Sequence, residues 1–126
     1  MRLVLGGMNQ GQLNVALELT KLTDDRVTYC RDCSFEDILK APLICDYHLL
    51  VKRMLEEKKD PYDFTNRLIK ENEGACLVMD EIGCGVVPSN AFDRDYRETV
   101  GRIGCLLAGH SQEVYRVFCG IPTKIK

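Results

Sequence analysis

No tryptophan occurs among the 126 residues, and aromatic residues make up only 7%. That scarcity weakens any stacking platform for single-stranded nucleic acid. An excess of one charge is lacking too: 17 Lys and Arg stand against 19 Asp and Glu, a formal charge of −2. Without a basic field, sequence-independent nucleic-acid binding is excluded. No apolar run approaches the roughly 20 residues that cross a bilayer. At the N-terminus, Arg2-Leu3-Val4-Leu5 runs straight into Gly6-Gly7, too short for a secretory signal core. These absences predict a soluble, cytoplasmic protein with no membrane or nucleic-acid partner. The length allows one domain over residues 1–126, with a single sizeable core.

Cysteine is present in plenty. Seven is a high and odd count, which fits reduced, mostly buried thiols better than a disulfide framework. The series Cys30-x2-Cys33-x11-Cys45-x2-His48 has the ligand types of a tetrahedral zinc site. The competing reading, a cysteine-rich chain with His48 on a helix face, is preferred, because Cys45 falls inside an apolar run. No metal ligand is therefore assigned.

Short apolar runs alternate with amphipathic stretches. Leu3-Val4-Leu5, Arg26 to Cys30, Leu43-Ile44-Cys45, Ala75 to Met79 and Glu113 to Cys119 read as strands. Gly11–Lys21, Ser34 to about Lys40, Tyr47–Lys59, a helix restarting at Asp60-Pro61, and Phe92–Gly109 read as helices. The order β-α-β-α-β-α-α-β-α-β predicts an α/β fold, a parallel sheet with helices on both faces. Ligands of such sheets sit at the carboxyl ends of the strands. Gly6-Gly7, Asp46 and Asp80-Glu81 all fall there.

The segment Gly6-Gly7-Met8-Asn9-Gln10-Gly11-Gln12-Leu13 joins the first strand to the first helix. Its Gly6-x4-Gly11 spacing is that of a P-loop, whose backbone N–H groups cradle phosphates. The full motif continues with a Lys for the phosphates and a Ser or Thr for magnesium. Here Gln12 and Leu13 hold those places, so a nucleotide cradle and a plain strand-to-helix turn remain equal readings of the loop alone.

Asp80-Glu81-Ile82-Gly83-Cys84-Gly85-Val86-Val87-Pro88 resembles the N-E-V-G-x-G-[IV]-V-P loop of the bifunctional adenosylcobinamide kinase / adenosylcobinamide-phosphate guanylyltransferase family of cobalamin biosynthesis. Arg94 to Arg102 is similar to that family's R-x-F-R-D-x-x-G-R segment, and Gln112 to Lys126 to its closing strand and G-I-P-x-x-x-K end. Leu43-Ile44-Cys45-Asp46 and the helix after it resemble the family's L-L-D-C-L-T strand and helix. The resemblance implies a three-layer, P-loop-NTPase-like sheet. It also implies ATP or GTP with magnesium as cofactors, a corrinoid partner, and a homo-oligomer, a trimer around the C-terminal helices. Leu106-Leu107-Ala108 would suit burial in such an assembly.

The departures fall on the chemistry. Against the family's loop G-G-x-R-S-G-K-S, the glycines stay while Asn9, Gln10, Gln12 and Leu13 replace the rest. The family's guanylylated histidine has no counterpart between Arg31 and Pro42, and Gly104-Cys105 replaces an N-Q pair. The expectation is a scaffold of that family with kinase and guanylyl transfer reduced or lost. A binding, regulatory or oligomerising protein, and less so a small zinc module, are the alternatives. As site residues the reading assigns Asp46 and Glu81 to magnesium or water positioning, and residues Gly6 to Leu13 to nucleotide. Capping of the following helix by Asp46 and loop hydrogen bonding by Glu81 are the competing roles. Arg94 and Arg97, three apart on one helical face, are assigned to phosphate or subunit contacts, with ion pairing to Asp93, Asp95 or Glu98 preferred.

Overall fold

The computed structural model describes every residue from Met1 to Lys126. Six strands form one sheet: β1 (Arg2–Gly6), β2 (Val27–Tyr29), β3 (Leu43–Cys45), β4 (Cys76–Asp80), β5 (Glu113–Phe118) and β6 (Ile121–Lys124). Their spatial order is β2-β3-β4-β1-β5-β6. The first five run parallel, and β6 returns antiparallel to β5. The helices are α1 (Gln12–Thr20), α2 (Phe35–Ile38), α3 (Tyr47–Glu56), α4 (Pro61–Glu71) and α5 (Ala91–His110).

Each central strand is apolar along its length because both of its faces are covered. Leu3, Ile44, Leu77, Met79 and Val114 enter one core with Tyr47, Leu50, Leu68, Ile103 and Leu107 from α3, α4 and α5. Val4, Leu43, Cys45, Cys76, Val78 and Val117 enter the other, against Val15 and Ala16 of α1. Two helical layers thus enclose the sheet. Each fully buried Leu or Ile contributes about 1.5–3 kcal/mol relative to exposure.

The local signals work as their chemistry requires. Ser34 and Asp60 cap α2 and α4, each accepting hydrogen bonds from first-turn backbone N–H groups. Lys126 Nζ donates to the carbonyls of Ala108 and Gly109 at the end of α5, where a cation suits the helix dipole. Tyr47 Oη and Thr65 Oγ1 share a buried 2.9 Å hydrogen bond that fixes α4 on α3.

Three expectations need correction. The sheet has a sixth strand beyond the five expected, Ile121–Lys124. It folds back through Cys119 (φ 50°) and Gly120 (φ 76°), a two-residue turn with both centres left-handed. Pro122 is tolerated because β6 is an edge. The thiols are not mostly buried: Cys84, Cys105 and Cys119 are exposed and Cys33 is half-buried. Finally, Leu107 is fully buried in the chain's own core, so Leu106-Leu107-Ala108 is not a free apolar face.

Candidate functional site

The strand order brings β3, β4 and β1 side by side, so the ends of three strands meet at one edge. Gly6 pairs with Asp80 across β1 and β4. A cleft of about 400 Å³ opens there, between the β1–α1 loop (Asn9, Gly11, Gln12) and Tyr29, Asp46 and Asp80.

The loop is shaped by positive φ at Asn9 (58°) and Gly11 (89°). Gly6 is required by contact: a Cβ there would lie 2.5 Å from the Val117 carbonyl oxygen. Gln12, at the first position of α1, is 4% exposed. Its Nε2 donates to the Gly7 carbonyl at 2.6 Å and to Asp80 Oδ1 at 2.9 Å. Its Oε1 accepts from the Gln10 backbone N–H at 3.1 Å. One neutral amide thus ties the loop to itself and to β4, and takes up a donor that a phosphate would need. Gln10 braces the outer side: its Oε1 accepts from Cys119 N–H at 2.8 Å, and its carbonyl from Gly120 N–H at 2.8 Å. The N–H groups of Met8, Asn9 and Gly11 make no hydrogen bond within the chain. Leu13 offers no oxygen and packs on the α1-side core.

Asp46 stands in the cleft in a left-handed conformation (φ 61°, ψ 40°) and its side chain makes no capping hydrogen bond to α3. A non-glycine residue held there costs on the order of 1 kcal/mol, a pattern found at functional sites. Its Oδ1 lies 3.6 Å from Cys45 Sγ, and its Oδ2 lies 3.7 Å from the Arg31 guanidinium. Glu81 is elsewhere. Its side chain pairs with Arg116 at 3.1 Å and its N–H donates to the Gly6 carbonyl at 2.8 Å, away from the cleft.

The carboxylate beside the loop is Asp80. His48, 7% exposed, accepts from the Asp80 N–H through Nδ1 at 3.1 Å, and its Nε2 lies 3.7 Å from Asp80 Oδ2. Burial holds His48 below the ordinary histidine range and pushes Asp80 above the carboxylate range. Alternation along β4 could have found Asp80: it shares the parity of Cys76 and Val78, which face α1. Nothing in the sequence pointed to His48 as its partner.

Arg94 and Arg97 do share a face, but neither pairs with an acid. Arg94 donates to the carbonyls of Pro88 and Ser89, and Arg97 to those of Val86 and Gly83. They hold the Gly83–Ser89 loop against α5. Cys30, Cys33, Cys45 and His48 do not converge. Cys30 and Cys45 enter opposite cores, and His48 is engaged with Asp80.

A family model described as cobinamide kinase / cobinamide phosphate guanyltransferase matches residues 42–125. The chain belongs to that family. It is 44% identical over 50 residues to the bifunctional adenosylcobalamin biosynthesis protein CobU of Salmonella typhimurium, and 42% identical over 50 residues to that of Escherichia coli. Those stretches cover 40% of this chain and only 28% of each relative. The matched family range includes Asp46, Asp80 and the Gly83–Ser89 loop, and leaves the β1–α1 loop outside it.

The donor set of this cleft does not fit a triphosphate: Gln12 brings a neutral amide, Leu13 has no side-chain oxygen, and the carboxylates of Asp46 and Asp80, which suit a cation, repel phosphate.

Proposed function

We propose that this chain is a cobinamide kinase / guanyltransferase family member that keeps the scaffold and has lost efficient phosphoryl and guanylyl transfer. What remains is weak nucleotide binding through the loop backbone. The observation that carries this reading is the Gln12 side chain, which is hydrogen-bonded to Gly7, Gln10 and Asp80. Losing a charge-assisted phosphate contact costs about 1.5–3 kcal/mol of binding. Phosphoryl transfer depends almost wholly on positioning and electrostatics, so the rate suffers more. The missing histidine between β2 and β3 supports the same conclusion for guanylyl transfer. Free N–H groups at Met8, Asn9 and Gly11 are what a phosphate would still meet. In this reading Asp46 and Asp80 face the bound group, and Glu81 serves the fold through Arg116.

A second reading, self-association without catalysis, is favoured by one feature. Phe118 (73% exposed) and Ile121 (69%) lie together on the β5–β6 hairpin at the sheet edge. Sedimentation separates the two: a trimer supports assembly, and a monomer at micromolar concentration refutes it.

Calorimetric titration with ATP, GTP and a corrinoid, with and without magnesium, tests the first reading. Weak triphosphate binding that is indifferent to magnesium is expected. Tight magnesium-dependent binding would overturn it.

A further inference from the structure

The Cys30-x2-Cys33 pair is left unused by the cleft. Cys30, just after β2, is fully buried, while Cys33 is half-buried. Cys30 opens a turn over residues 30–32, and Cys33 follows directly after it. The two side chains meet the same core: Cys30 belongs to it and Cys33 packs against it. The backbone around them is clamped. Arg53 of α3 donates from Nη1 to the carbonyls of Cys30 at 2.7 Å and Cys33 at 3.0 Å, and Cys30 N–H donates to the Cys45 carbonyl at 2.9 Å.

Access is one-sided. A surface groove of about 470 Å³, with Thr28, Tyr29, Asp37 and Lys40 among its walls, reaches Cys33 but not Cys30. We propose that Cys30 and Cys33 form a thiol–disulfide exchange site, at which low-molecular-weight disulfides entering this groove react at Cys33 and Cys30 resolves the adduct.

The chemistry balances within the pair and its co-reactant. The Cys33 thiolate attacks one sulfur of the small disulfide, breaks its S–S bond and releases one thiol, which takes up a proton. Cys30 then gives its proton to solvent and attacks the Cys33 sulfur of the mixed disulfide. The second small thiol leaves and is protonated. Two protein thiols are oxidised to one disulfide, and the small disulfide is reduced to two thiols. The order of attack follows from exposure and acidity. The neighbouring Cys30 thiol, with Arg53 nearby, holds the Cys33 thiol down to about 7, while the neighbouring Cys33 and burial push Cys30 far up.

The test uses the full chain with the exposed Cys84, Cys105 and Cys119 replaced by Ser, equilibrated in glutathione / glutathione disulfide buffers. The expected product is an intact mass lower by two hydrogens, with a linked Cys30–Cys33 peptide that dithiothreitol reverses. Cys30→Ala should instead accumulate a glutathione adduct on Cys33, and Cys33→Ala should give neither product. The measurement on the parent needs no variant at either position. If the parent stops at the adduct, or stays reduced where an unfolded control forms adducts, the proposal fails.

Discussion

Gln12 Nε2 donates to Asp80 Oδ1 at 2.9 Å, so a neutral amide joins the β1–α1 loop to the end of β4. The contact is almost wholly sheltered from water at the Gln12 end. Gln12→Ala leaves the Gly7 carbonyl, the Gln10 N–H and Asp80 without this partner. The expected loss is about 1–3 kcal/mol of stability, read as a lower denaturant midpoint. An unchanged midpoint would show that the loop does not depend on the amide.

Replacing the amide by a cation should move binding the other way. The double variant Gln12→Lys with Leu13→Ser returns the charge and hydroxyl that a phosphate loop uses. A regained contact of about 1.5–3 kcal/mol predicts roughly ten- to a hundredfold tighter ATP binding by calorimetry. The gain should appear only with magnesium.

His48 gives the fold a pH dependence. Burial lowers its pKa in the folded chain, so folding disfavours its protonated form. Its stabilising contribution is complete above the unfolded value near 6.5, and is lost as pH falls below that value toward the folded pKa. Asp80 is raised by burial and acts in the opposite sense, losing its contribution as pH rises above the unfolded carboxylate value. Urea denaturation of wild type and His48→Gln between about pH 7 and 5 isolates the histidine. The difference between the two curves should shrink with acid. A constant difference would contradict the assignment.

Of the three loop glycines, Gly6 has the closest neighbour. Gly6→Ala places a methyl group 2.5 Å from the Val117 carbonyl oxygen, a backbone atom that cannot swing aside. Overpacking of this kind costs about 1–3 kcal/mol. Gly74→Ala, with no atom within 4 Å of the new Cβ, is the control. Only the former should lower the melting temperature by several degrees.

How far the sequence could be read depended on how local each cause was. Leu3-Val4-Leu5 and Ala75 to Met79 were legible because strands covered on both faces carry no polar residues. Ser34 and Asp60-Pro61 were legible because caps act over three residues. β6 was not, since its register comes from pairing with β5 and its turn places Cys119, a residue without turn preference, at positive φ. In the site, the loop glycines and Asp46 could be placed by position alone. The choice between Asp80 and Glu81 turned on which face of the sheet each side chain takes. The roles of Arg94 and Arg97 depended on loop carbonyls that no spacing encodes.

The most direct measurement is transfer of labelled γ-phosphate from ATP to cobinamide by the purified wild-type chain, run beside the Gln12→Lys, Leu13→Ser variant. The account predicts no product above background from the wild type in the presence of magnesium. Sustained turnover by the wild-type chain would contradict it.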